Sequence, residues 1–125
     1  MISVDIEELR DIAAQFSGDE RVIAIYLFGS VVTGRKSPSD IDICLITNEE
    51  LGLKEELKIA VKFPDEADVV FFYRLPVKIK INVFRDGTPL LINDPEILDR
   101  IKIRTIKEHQ DLYRWIRRYE RRWFE

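Results

Sequence analysis

The chain has 125 residues, 46% hydrophobic and 34% charged, with 20 Lys or Arg against 23 Asp or Glu for a net charge of −3. That balance describes one soluble globular domain, excludes a disordered chain, and argues against general affinity for nucleic acid or other polyanions. No apolar run approaches the ~18 residues that span a bilayer, no leader pattern opens the chain, and a lone Cys44 excludes an internal disulfide, so we expect a cytoplasmic setting without membrane.

In chain order, Ile6, Leu9, Ile12, Ala13 and Phe16 recur at helical spacing, and Ser17-Gly18 supplies a stop. Val22 to Phe28 is apolar on both faces, as for a central strand covered on each side. A Gly29-Ser30 turn then opens a short helix or turn reaching Arg35. Asp40 to Thr47 alternates as a second strand, in which Cys44 reads as a structural core thiol. Leu53, Leu57, Ala60 and Val61 mark a second helix closed by Pro64, and Ala67 to Tyr73 is a third strand rich in Val and Phe. Val77 to Val83 alternates with period two and reads locally as a strand. Asp94-Pro95-Glu96 is a helix start, with Asp94 as N-cap and Pro95 at the first helical position, and this last helix extends nearly to Trp123. It contains the lone His109, which has no second histidine with which to build a zinc site.

The chemistry concentrates between residues 27 and 43. Side chains alternate across a strand, so Asp40 and Asp42 project from one face while Ile41 and Ile43 project from the other. Two carboxylates side by side repel unless a cation lies between them. Mg2+ suits that role, because it is held by one or two carboxylates together with substrate phosphates. The Gly29-Ser30 turn offers backbone N–H groups where phosphates dock, with Ser39 directly before the acidic pair. Together these residues describe a metal–nucleotide site.

The pattern Leu27-Phe28-Gly29-Ser30 followed by Asp40-Ile41-Asp42 resembles the minimal nucleotidyltransferases of the DNA polymerase β superfamily. Nine residues, Val31 to Ser39, separate Ser30 from Asp40, one fewer than the commonest spacing of that family. The resemblance implies a polymerase-β-like α/β (α+β) fold, a small mixed sheet flanked by helices. It further implies a single domain over 1–125, with a catalytic core to about residue 92 and a C-terminal helix over about 94–124. It favours a helix over residues 77–84, then a turn at Arg85-Asp86-Gly87 and a short strand at Pro89 to Ile92. It also implies a third carboxylate on the strand beside Asp-x-Asp. Asp68, which alone would read as a solvated strand end, is the acid within that strand. Asp40, Asp42 and Asp68 would then be the catalytic and metal-binding residues for two Mg2+ ions, and Gly29, Ser30 and Ser39 would bind the phosphates of ATP.

Beyond Asp68 the layout is similar to the antitoxin branch of this family. That similarity implies a HEPN ribonuclease toxin as partner, inactivated by transfer of AMP from ATP to a tyrosine. The alternatives are nucleotidyl transfer to a small hydroxylated molecule or an RNA end, and a toxin-binding module without turnover. No second domain is apparent to hold a tRNA or a drug, which favours the protein acceptor. In the last helix Leu112, Trp115, Ile116, Tyr119 and Trp123 form one apolar stripe, flanked by Arg114, Arg117, Arg118, Arg121 and Arg122. The stripe either packs on the domain's own core, docks a protein, or binds nucleic acid; Trp, Tyr and Arg are the residues that dominate protein interfaces.

Overall fold

The computed structural model describes residues 5–29 and 41–124, with the backbone alone for residue 41 and residues 119–124. The short helix or turn expected after Gly29 lies outside the described residues, as do Ser30, Ser39 and Asp40. The described residues form, in order, α1 (Ile6–Ala14), β1 (Val22–Gly29), β2 (Ile41–Thr47), α2 (Leu53–Ala60), β3 (Ala67–Phe71), a 3-10 turn (Phe72–Arg74), α3 (Val77–Asp86), β4 (Thr88–Ile92) and α4 (Pro95–Phe124). The four strands form one mixed sheet in the order β3-β2-β1-β4. β1 is antiparallel to both β2 and β4, while β2 and β3 run parallel. A parallel pair needs a crossover, and α2 supplies it.

Two cores cover the two faces of the sheet. Leu9, Ala13 and Phe16 of the α1 region and Ile59 and Phe63 of the α2 region pack on one face, against Val22, Ile25, Leu27, Ile43 and Leu45. Val83 of α3 and Leu98 of α4 pack on the other, against Ile23, Ala24, Tyr26, Phe28, Cys44 and Ile46. β1 is therefore buried on both faces, as its continuous apolar run requires. Cys44 is fully buried, and that burial pushes its thiol well above the usual range, so it remains a neutral core group.

Residues 77–86 form a helix despite their period-two pattern, in agreement with the resemblance. Pro76 adopts extended geometry and starts the helix, Val83 is its buried residue, and Ile79 and Phe84 pack beside it on the second core. β3 is shorter than its sequence suggests. It ends at Phe71 because Tyr73 turns away: its hydroxyl accepts from the Leu51 N–H at 3.2 Å and donates to Glu56. α4 starts as expected, with the Asp94 carboxylate accepting from the Ile97 N–H at 3.1 Å.

The larger surprise is the orientation of α2. Leu53, Leu57 and Val61, the apolar residues that mark this helix in the sequence, are 67%, 55% and 77% exposed. Ile59 and the charged Glu56 are buried instead. Arg74 explains the inversion: its Nε donates to Glu56 Oε2 at 2.8 Å, and the Tyr73 hydroxyl shares the same oxygen. Glu56 is thus compensated on burial, and its carboxyl is held below the usual range by those hydrogen bonds, that of Arg74 first, against the opposing cost of desolvation.

Candidate active site

One end of the sheet collects the described part of the predicted site. In the parallel pair, Asp42 of β2 stands directly beside Asp68 of β3. Register partners on neighbouring strands point to the same face, so the two carboxylates are adjacent across a strand spacing of about 4.8 Å. On its other side Asp42 pairs with Phe28, and the next pair along is Ile41 with Gly29, the last residue of β1. Gly29 has φ +97°, a left-handed conformation that disfavours any side chain. Gly29 therefore ends β1, at the level of the carboxylates, in a conformation that a Cβ would strain. Ser30, Ser39 and Asp40 belong to this motif in the sequence and lie outside the described residues.

Burial along the strands determines what the carboxylates face. On their side of the sheet the following positions are Cys44 and Ile46 on β2 and Val70 and Phe72 after Asp68, all part of the second core or packed against it. Asp42 is half-buried at the rim of this apolar floor and Asp68 is exposed. Two carboxylates so placed can share one bound cation between them. Among the described residues no group of three His, Cys, Asp or Glu side chains forms a metal cluster. Within the pair that is described, the donor set is oxygen only, and the neutral Cys44 thiol on the same face is no competitor. Hard oxygen donors are the set that Mg2+ prefers, whereas structural zinc sites are built from Cys and His.

Two supporting positions gave little sign of themselves in the sequence. Gly87 leads into β4 beside this end, and a Cβ there would meet the Val83 carbonyl oxygen, with the Leu27 carbonyl oxygen and Tyr26 Cδ2 each at 3.3 Å. At the opposite end Asn93 ties three segments together. Its Nδ2 donates to the carbonyls of Phe16 and Val22, each at 2.9 Å, and its Oδ1 accepts from the Gly18 N–H at 3.3 Å. The Asn-Asp-Pro sequence at 93–95 marked a helix start and gave no hint of these long-range bonds.

Residues 10–96 match the sequence family described as polymerase beta nucleotidyltransferase. No curated protein matches the chain. Among solved structures, it is similar to a chain of a toxin–antitoxin complex crystallised with AMP-PNP, with a TM-score of 0.72 at 17% identity over 98% of this chain and 100% of that one. It is also similar to a chain of a tri-AMPylated Shewanella oneidensis HEPN toxin in complex with MNT antitoxin, with a TM-score of 0.63 at 19% identity over 96% of each chain. At these identities the likeness is one of fold.

Proposed function

The chain belongs to the polymerase beta nucleotidyltransferase family, and from that premise we propose that it is an antitoxin that transfers AMP from ATP to a tyrosine hydroxyl of a HEPN-type toxin. The observation that carries the reading is the side-by-side register of Asp42 and Asp68 at the strand end where β1 closes in a left-handed glycine. The reaction needs carboxylates at one point and backbone donors at the next. The neighbouring folds come from complexes of toxin with antitoxin, one with an ATP analogue and one with an AMP-modified toxin, and they support the choice of acceptor and donor.

In this reading Asp40, Asp42 and Asp68 hold Mg2+, with two ions expected. Bound there, Mg2+ neutralises the triphosphate and lowers the pKa of the attacking hydroxyl. The protein's own groups do the rest. Backbone N–H groups after Gly29, together with Ser30 and Ser39, bind the outgoing phosphates. The tyrosine oxygen attacks the α-phosphorus in line, the bond from that phosphorus to the bridging oxygen breaks, and pyrophosphate leaves with its electron pair. A phenol has a pKa near ~10 and attacks poorly while protonated. Asp68, exposed at the mouth of the site, accepts its proton.

The test is intact-mass spectrometry of the protein encoded by the adjacent reading frame, after incubation with the chain, ATP and Mg2+. We expect mass increments of whole AMP units on tyrosine, lost in Asp68→Asn. Transfer to a small hydroxylated compound or an RNA end, with the neighbouring protein unmodified, would replace this reading.

A further inference from the structure

Helix α4 carries one apolar seam, and the body covers only its beginning. Leu98 and Thr105 are buried, and Ile101 packs against the second core. At helical spacing the same face continues through Leu112, Trp115 and Ile116, which are 40%, 62% and 39% exposed. From residue 106 to residue 118 every position is exposed except the half-buried His109. At ~1.5 Å per residue, the helix from there to Phe124 is an arm of about 28 Å. Most of the stability of a helix in a protein comes from packing its apolar face, and the body does not pack this part of α4. The reading that the stripe packs on the domain's own core therefore fails for its described residues.

Charge is segregated in the same way. Residues 100–125 carry nine Lys or Arg against four Asp or Glu, a net +5, whereas residues 1–99 carry eleven against nineteen, a net −8. The direction of the arm adds meaning to this contrast. α4 starts beside Ile23, whose carbonyl accepts from the backbone N–H groups of Asn93 and Asp94 at 2.9 and 3.3 Å. Lys102 then reaches Phe84, with Nζ 5.8 Å from the ring centroid, and Phe84 packs edge-on against Tyr26 at 5.7 Å. Tyr26 lies closer to Gly29 along β1 than Ile23 does. The helix thus climbs β1 towards the end that carries Asp42 and Asp68.

We infer that the α4 arm docks a partner protein through a surface of that partner that is acidic around an apolar centre, and brings the partner to the carboxylate end of the sheet. The inference rests on the proposed transfer to a protein and names the chemistry of the surface that binds. An acidic partner is repelled by the body and attracted by the arm, so charge alone fixes the docking orientation and speeds encounter. The apolar seam then supplies the short-range affinity, with Trp115 and the flanking Arg114, Arg117 and Arg118 as anchors. Nucleic acid fits less well. Phosphates offer no apolar surface for Leu112 and Ile116, and the negative body repels a long polyanion.

The experiment uses the full chain with the same neighbouring protein, ATP and Mg2+. The triple variant Arg114→Glu, Arg117→Glu, Arg118→Glu should raise the KM for the protein substrate about tenfold or more, with the KM for ATP and the melting temperature unchanged. Wild-type association should weaken as salt rises from ~0.05 to ~0.5 M, and the triple variant should lose most of that dependence. Leu112→Ser with Ile116→Ser should raise the same KM while keeping the salt slope. Wild-type KM in both variants would overturn the inference, as would a wild-type chain that does not bind the protein. So would an RNA oligonucleotide that binds as tightly as the protein and is lost in the same variants. Arm-dependent, salt-sensitive binding without AMP transfer would instead refute the proposed reaction and leave the docking surface standing.

Discussion

The two ends of the sheet are built on opposite rules. At the end where β1 begins, polar groups meet partners. Asn93 joins the carbonyls of Phe16 and Val22, Arg21 donates to Asp19 from Nε and Nη2 at 3.1 and 2.8 Å, and its Nη1 reaches Glu55 at 2.8 Å. At the end where β1 stops, two carboxylates stand in register and Gly29 takes a left-handed conformation. The first end gathers opposite charges and satisfied donors, the second sets two like charges side by side. On the proposed reading, the polar ties that hold the fold lie at one end of the sheet and the carboxylates of the site lie at the other.

The sharpest way to break that comparison is Asp42→Asn. It removes a ligand charge at nearly constant volume and relieves repulsion from Asp68. Transfer from labelled ATP should fall by about a hundredfold or more, as when an electrostatic stabiliser is removed from an active site. The melting temperature without nucleotide should stay level or rise. Undiminished transfer would remove this end of the sheet from the chemistry. A fall in stability would show that the two ends do not differ as described.

Asn93→Ala probes the opposite end and should invert the outcome. It leaves the carbonyls of Phe16 and Val22 without their amide partner, at a cost of about 2–3 kcal/mol in urea unfolding. The folded fraction should keep its nucleotide affinity, because the carboxylates lie at the far end of β1. Equal loss of affinity and stability would mean that the ends are coupled.

Acid titration sharpens the contrast without mutation. Asp19 is held below the usual carboxylate range, first by the Arg21 side-chain hydrogen bond, and Glu56 likewise, first by that of Arg74. A carboxyl whose folded pKa is depressed contributes stability that is present above its unfolded pKa and lost as pH falls through the folded value. Stability should therefore decline from the ordinary carboxylate range downward, and the decline should be shallower in Glu56→Gln. A wild-type slope in that variant would take Glu56 out of the acid response.

The smallest effect is expected on the exposed apolar stripe of α2. Leu57→Ser should change stability by no more than about 0.5 kcal/mol by chemical denaturation, since the side chain is already mostly in water. A loss of several kcal/mol would place Leu57 in a contact that its exposure does not suggest.

Much of this molecule was legible along the chain. β1 as a doubly buried strand, the Asp94 cap of α4 and Cys44 as a core thiol depend on local pattern, and they stand as read. The expectation that α3 is a helix came from resemblance, because its period-two alternation alone pointed to a strand. Gly29 and Asp42 could be named because turn geometry and strand alternation are short-range properties, while Ser30, Ser39 and Asp40 lie outside the described residues. Other features had no local cause. Which strand stands beside Asp42, and in what register, follows from the α2 crossover that pairs β2 with β3. Glu56 is buried and Leu57 exposed because Arg74 and Tyr73 arrive from beyond β3 to compensate the charge. Asn93 becomes a tie only when segments more than seventy residues apart close around it. The seam of α4 reads as a single stripe in the sequence. Where it stops being covered is decided by the second core, which reaches Leu98 and Ile101 and not Leu112 or Ile116, because burial depends on what lies opposite a side chain and periodicity describes only the face it is on.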